Sequence, residues 1–318
     1  MTDVLIYGGG GVGLGIASCL LTAEARVDII AREETVASLR ANGLVRTGLF
    51  GDFHAGAETF ACHASLDQCR TGPYDFVLVC TKSFDSTAAA TDLAAHRDKL
   101  GAEVKIVLLQ NGWGNAELFC GYFEPQRVYS GRVITGFQRH RPHEVEITVH
   151  ADAIELGTLF SGDVAALEPL CRAIEQGGIP CERTDNVGKD LWAKMLYNCA
   201  LNPLGAVLRV PYGVLAEQET TRQLMDEIVA EVFAVMEAAG YTTHWPTARD
   251  FLDVFYARLV PDTAEHESSM LQDITAGKRT EIDALNGAVM DLADRHALDV
   301  PHNRAVYNLV RFLESREA

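Results

Sequence analysis

The chain has 318 residues, 48% of them hydrophobic and 22% charged, a globular composition that excludes a disordered, collagen-like or low-complexity protein. Its 27 Lys+Arg stand against 44 Asp+Glu, a formal net charge of −17. That balance opposes any general attraction to nucleic-acid backbones or anionic membrane surfaces, although local basic groups can still hold a small anion.

The length gives a prior of about two domains, and the chain divides accordingly. VLIYG (Val4 to Gly8) reads as a short buried strand, followed by a glycine cluster and the small, apolar helix GIASCLLTA. RVDIIAR (26–32), FVLVCTK (76–82) and VKIVLLQNG (104–112) are further strands without polar alternation. Continuous apolar runs of this kind suit strands covered on both faces, and strand–helix–strand succession implies a parallel, doubly wound sheet. Between Asn42 and Ala64, alternation with glycine turns predicts hairpin-like strands. VYSGRVITGF, VEITVH and AIELG, between Val128 and Gly157, are expected to extend the sheet with antiparallel strands. Beyond about Asp185 the periodicity turns helical in WAKMLYNCALNPL, RQLMDEIVAEVFAVMEAAG, ARDFLDVFYARL and EIDALNGAVMDLADRH. The expected organisation is an α/β Rossmann-type domain over 1–185, binding the nucleotide, and an all-α domain over 186–318.

Gly8, Gly10 and Gly13 form G-x-G-x-x-G between a strand and a helix, the context that a dinucleotide site requires. Gly8 suits the tight turn, Gly10 lets a pyrophosphate approach the backbone, and Gly13 allows close helix–strand packing. Together with Gly11 and Val12 they would face phosphates with the free N–H groups of the helix start. The next strand ends in Ala31-Arg32, where a guanidinium suits the 2′-phosphate of NADP(H). Glu33 and Glu34 directly after it keep NAD open. Lys82 follows a strand at the edge where ligands collect in such sheets. Asn111 lies in a tight Q-N-G-x-G turn that can present an amide, although turns favour Asn for local reasons too.

In the helical half, Lys194, Asn198 and Asn202 recur every four residues on a helix otherwise apolar nearly all round, so they share one face. A polar line there borders a wet cleft or a ligand, because a lysine buried without a partner is costly. A desolvated lysine shifts its pKa downward readily, which suits a proton donor. The competing reading is a packed stem with a snorkelling head, and Asn202 before Pro203 can end or kink the helix. Ser269 is expected in a short helix closed by Ala276-Gly277. Thr280 is expected to cap the next helix, with Asp283 as its capping-box acid and Glu281 favoured by the helix dipole. Sequence spacing does not bring Glu281 to Lys194.

Eight cysteines show neither CxxC nor zinc-finger spacing and read as small buried residues of a reducing compartment. No metal site is assigned among the ten histidines. No apolar run approaches the ~20 residues that span a bilayer, and MTDVLIYGGG lacks the features of a secretory signal. A cytoplasmic protein is expected.

GGGGVG, Q-N-G-W-G at 110–114, L-W-A-K-M-L-Y-N-C-A-L-N-P-L at 191–204, and S-S-M-L-Q-D-I with T-E-I-D-A-L-N-G at 268–287 together resemble the ketopantoate reductase family over essentially the whole chain. The resemblance implies NADPH-dependent reduction of a 2-oxo acid, 2-dehydropantoate to pantoate. It matches the family's catalytic lysine, a general acid on the carbonyl oxygen, to Lys194, and its glutamate, catalytic and binding the substrate's hydroxyl groups, to Glu281. Asn198, Asn202 and Ser269 match substrate-holding residues. Asn111, Lys82 and Glu281 match residues of the cofactor side, and Asn111 also contacts substrate. One departure stands out: Tyr212 occupies the place where members that reduce ketopantoate often carry Asn before Gly. A reductase for another bulky 2-oxo acid and an idle NADP(H)-binding sensor are the alternatives. The partner expected is a small-molecule substrate, with a homodimer as the candidate assembly.

Overall fold

The computed structural model describes residues 2–69 and 72–317. Its first unit comprises residues 1–110 and 115–187, and its second 111–114 and 188–318. The sequence expectation draws two contiguous blocks; the structure also assigns the four-residue turn Asn111–Gly114 to the helical unit.

The first unit begins with β1 (Asp3–Tyr7), α1 (Gly11–Thr22), β2 (Arg26–Ile30) and α2 (Glu33–Asn42). It continues through β3 (Leu44–Gly48), β4 (Phe53–Ala55), β5 (Ala61–His63), β6 (Phe76–Val79), α3 (Ser86–Ala95), α4 (Arg97–Leu100), β7 (Lys105–Leu108) and α5 (Asn115–Cys120). It closes with β8 (Val128–Arg132), β9 (Thr135–Arg141), β10 (Glu144–His150), β11 (Ile154–Gly157), α6 (Glu168–Gln176) and β12 (Cys181–Arg183). An eight-stranded sheet has the order β12-β11-β8-β7-β6-β1-β2-β5. It is parallel except where β11 meets β8. The apolar runs make this sheet because both of its faces are covered. Val4 and Ile6 join one buried cluster with Leu14 and Leu20 of α1. Leu5, between them and pointing the other way, joins a second cluster with Leu93 of α3 and Phe119 of α5. The chain leaves β1 towards β2 and returns to β6 on its other side, so β1/β6 is the switch point at which such sheets bind ligands.

The doubly wound sheet and the helical second unit agree with the sequence reading, whereas the 128–157 region does not. β8 and β11 do extend the main sheet, but β9 and β10 leave it. They pair with the predicted β3–β4 hairpin in a second sheet of order β4-β3-β10-β9. Arg46 of β3 explains the arrangement. It is 4% exposed, and its guanidinium donates to Gly177 O at 2.7 Å and to Phe50 O at 3.2 Å. These bonds satisfy a buried cation with carbonyls, and the one to Gly177 ties β3 to the end of α6. β12 was not foreseen: Cys-Glu-Arg is too short and too polar to carry a strand pattern.

The second unit is built from α7 (Val187–Leu208), α8 (Tyr212–Glu217), α9 (Glu219–Ala238), α10 (Ala248–Val254), α11 (Ser269–Thr275), α12 (Asn286–Arg295) and α13 (Pro301–Glu317). α9 buries Met225, Ile228, Val229, Val232, Phe233, Val235 and Met236, the stripe of an amphipathic helix. Pro203 neither ends nor breaks α7, contrary to one sequence expectation. Proline has no N–H for the carbonyl four residues back, which here is Cys199 O. Asn286 Nδ2 donates to that carbonyl at 3.1 Å and so replaces the missing bond. No helix among the described residues is long and apolar enough to cross a membrane. The eight cysteines are free, six of them buried.

Candidate active site

In the first unit the candidate residues gather at the carboxyl ends of β1, β2 and β6. Gly8 adopts φ +120°, in the region that favours glycine; a Cβ there would lie 2.7 Å from Thr81 N. Its N–H donates to Ile30 O at 3.0 Å. At Gly13 a Cβ would lie 2.0 Å from Gly8 O, so α1 starts directly against the strand end. Gly10 is the N-cap of α1 and supplies no side chain to its first amides. A Cβ there would meet nothing within 4 Å. With Gly11 and Val12 opening the helix, this leaves uncapped N–H groups before open space, the form of a pyrophosphate cradle. The loop thus fits a dinucleotide.

Arg32 is exposed and is the N-cap residue of α2, followed by exposed Glu33 and Glu34. Lys82 is half-buried and leads a 3₁₀ turn, Ser83–Asp85, just past β6. Gln110 fastens this edge, donating from Nε2 to Ser86 Oγ at 2.9 Å and to Lys82 O at 3.3 Å.

The second unit assembles three distant side chains. Lys194 Nζ donates to Asn111 Oδ1 at 2.7 Å, and Asn111 Nδ2 donates to Glu281 Oε2 at 3.1 Å. One amide therefore links an ammonium to a carboxylate. The Asn111 turn is seated by backbone and by rings. Trp113 N donates to Ala284 O at 2.9 Å, and Gly112, at φ +89°, leaves no room for a Cβ beside that carbonyl. Trp113 packs against Trp192 and Tyr241, each with ring centroids 4.7 Å away.

Glu281 is 7% exposed. It does not begin a helix: Ile282–Ala284 is a 3₁₀ turn, and α12 starts only at Asn286. Thr280 Oγ1 does accept from Ile282 N at 3.2 Å. Asp283, expected as the reciprocal cap, instead accepts from Tyr307 Oη and Arg279 Nη2, each at 2.8 Å. Asp283 is thus engaged away from Asn111, and Glu281 is the acid that meets that amide.

Asn198 and Asn202, 7% and 6% exposed, follow Lys194 along α7. The Asn198 side chain has no hydrogen bond among the described residues. Asn202 Oδ1 accepts from Tyr212 Oη at 2.5 Å, and its backbone carbonyl accepts from Ser268 Oγ at 3.2 Å. Ser268 is the buried N-cap of α11, accepting from Leu271 N at 3.0 Å. Ser269, the next residue, is exposed at the helix start. Sequence reasoning missed the Trp113–Trp192–Tyr241 stack, Ser268 and the Tyr212–Asn202 bond. The only visible signal was a tryptophan two residues from each of Asn111 and Lys194, Trp113 and Trp192.

A doubly wound sheet with such a loop at its switch point, joined to a helical unit carrying an ammonium–amide–carboxylate chain, defines an oxidoreductase of the Rossmann class. Comparison with known proteins supplies the family. Residues 4–160 match the model of ketopantoate reductase PanE/ApbA, and residues 186–314 match its C-terminal counterpart. The 2-dehydropantoate 2-reductase of Aquifex aeolicus is 34% identical over 311 residues, 98% of this chain and 96% of that protein. The enzyme of the same name from Halobacterium salinarum is 29% identical over 98% of each. A solved PanE/ApbA family ketopantoate reductase from Ralstonia eutropha is 30% identical, with a TM-score of 0.85 over 99% of both chains. The chain belongs to the ketopantoate reductase family.

Proposed function

We propose that the protein reduces 2-dehydropantoate to pantoate with NADPH. The first unit takes the nucleotide through Gly8, Gly10, Gly11, Val12, Gly13, Arg32 and Lys82, and the second takes the oxo acid. NADPH, when bound, supplies a hydride to C2 of the substrate. As that carbonyl is reduced, negative charge grows on its oxygen; the Lys194 ammonium stabilises the charge and gives up a proton to it. Solvent then restores the proton, so one NADPH and one proton are consumed per hydroxy acid formed.

The observation that carries this reading is the Lys194–Asn111–Glu281 chain. The amide oxygen fixes the direction of the ammonium, and the positive charge so placed stabilises a developing oxyanion. Glu281 orients Asn111 and, beyond it, accepts hydrogen bonds from hydroxyl groups of the ligands. Asn198, Asn202 and Ser269 hold the substrate's carboxylate and hydroxyl groups. A cytoplasmic location suits an NADPH-driven reaction in a protein of free thiols.

The second reading, a reductase for another bulky 2-oxo acid, is favoured by one observation. Tyr212 is 3% exposed and its Oη donates to Asn202 Oδ1, taking one of that oxygen's two acceptor positions away from a substrate. The test follows NADPH oxidation over a panel of 2-oxo acids. Turnover of 2-dehydropantoate above the others is expected. Turnover of others alone transfers the assignment to the second reading, and tight NADPH binding without any turnover defeats both.

A further inference from the structure

We propose that Arg139 is a second cation for the adenosine 2′-phosphate, acting with Arg32 to select NADPH over NADH. The inference rests on the NADP(H) reading above and adds a residue that no glycine or strand-end motif points to.

The second sheet brings Arg139 to the nucleotide loop. β9 crosses the start of α1 so closely that a Cβ at Gly11 would lie 2.8 Å from Phe137 O, and one at Gly15 would lie 2.3 Å from the Phe137 ring. Residues two apart on a strand share a face, so Arg139 follows Phe137 onto the same surface. Its Nη1 donates to Gly9 O at 3.1 Å and to Thr35 Oγ1 at 3.3 Å. Gly9 in turn is pressed against β2's end, where a Cβ would lie 2.6 Å from Ala31 Cβ. The guanidinium therefore sits where the glycine loop, the end of β2 and the first turn of α2 meet. That is the corner at which such folds read the ribose 2′ position.

Charge supports the same placement. Arg32 alone faces Glu33 and Glu34 in the next two positions, one positive side chain against two negative ones. A dianionic phosphate would be poorly held there without further positive charge. The two basic residues that follow Arg139 on the strand are committed to β10: His140 to Glu146 at 2.6 Å and Arg141 to Glu144 at 3.7 Å. Among the described residues, neither Arg32 nor Arg139 pairs with a carboxylate. Arg139 is exposed and bound only to neutral acceptors, so its remaining donors suit a phosphate that can be grasped by a planar fork.

The test is calorimetric binding of 2′-phosphoadenosine 5′-phosphate and of 5′-AMP, which differ only in the 2′-phosphate, to the full chain. Wild type should prefer the former. R139Q should cut the ratio of the two affinities about tenfold, the scale of a lost charge-assisted bond, and the KM ratio of NADPH to NADH should move in parallel. R139K, which keeps the charge, should restore part of the ratio. If R139Q weakens both ligands equally, Arg139 only props Gly9 and the inference falls while the NADP(H) reading stands. If wild type binds both alike and R32Q changes nothing, the NADP(H) reading itself falls. Unaltered thermal unfolding of R139Q excludes a folding defect as the cause of its loss.

Discussion

The two units carry their chemistry on different parts of the chain. In the first, the proposed cradle runs over six consecutive residues from Gly8 to Gly13, five of them glycine, and what matters is the side chains those five lack: a single added carbon at Gly13 meets Gly8 O at 2.0 Å. In the second, Asn111 reaches partners 83 and 170 residues away, and what matters is the polar atoms they bring. A site of backbone and empty space is broken by adding atoms. A site of linked side chains is broken by removing them.

Deletion in the second unit should have the largest effect. Lys194→Ala removes the proposed general acid, and kcat should fall by ~10²-fold or more, the usual scale for that loss, while the dissociation constant for NADPH changes little. A variant that keeps full turnover would end the role assigned to Lys194. Addition in the first unit should give the opposite signature. Gly13→Ala forces α1 off the end of β1 at an overpacking cost of ~1–3 kcal/mol, so the KM for NADPH should rise roughly tenfold with a smaller change in kcat. An unchanged KM would mean that the loop does not carry the nucleotide.

The same contrast explains what the sequence disclosed. The glycine cradle is local, so strand, spacing and helix stood together in one short stretch. Lys194, Asn198 and Asn202 were legible as a line because a helix repeats its faces every three to four residues. The meeting of Glu281 with Asn111 was not, since it depends on Trp113 docking beside Ala284, and no periodicity encodes a contact across 170 residues. Only the family resemblance singled out Glu281, and it did so as a position without a geometry. The second sheet escaped for a related reason. Alternation in 128–157 shows that strands form there, but their partners are chosen by the buried Arg46 and by Phe137 fitting the small residues of α1.

The smallest effect expected tests the contrast inside a single turn. Asp283 lies two residues from Glu281 but faces Arg279 and Tyr307, with Arg311 at 3.9 Å. Burial alone would raise its pKa; the hydrogen bonds from Arg279 and Tyr307 and the charge of Arg311 outweigh burial and hold it below the ordinary 3.8. A carboxyl whose pKa is lowered by folding stabilises the native state above its unfolded value and loses that contribution as pH falls through its folded value. Asp283→Asn should therefore lower Tm at neutral pH, and the gap from wild type should close as pH drops below 3.8. The carboxylate is 38% exposed, and solvent screening limits the effect to under ~1 kcal/mol, a shift of a few degrees at most. Its kcat should stay close to wild type, because none of its partners is Asn111. A gap that persists unchanged into acid would show that the amide fails for shape rather than charge. A large loss of kcat would mean that the turn works as one piece, and that the division between its structural and reactive acids is not real.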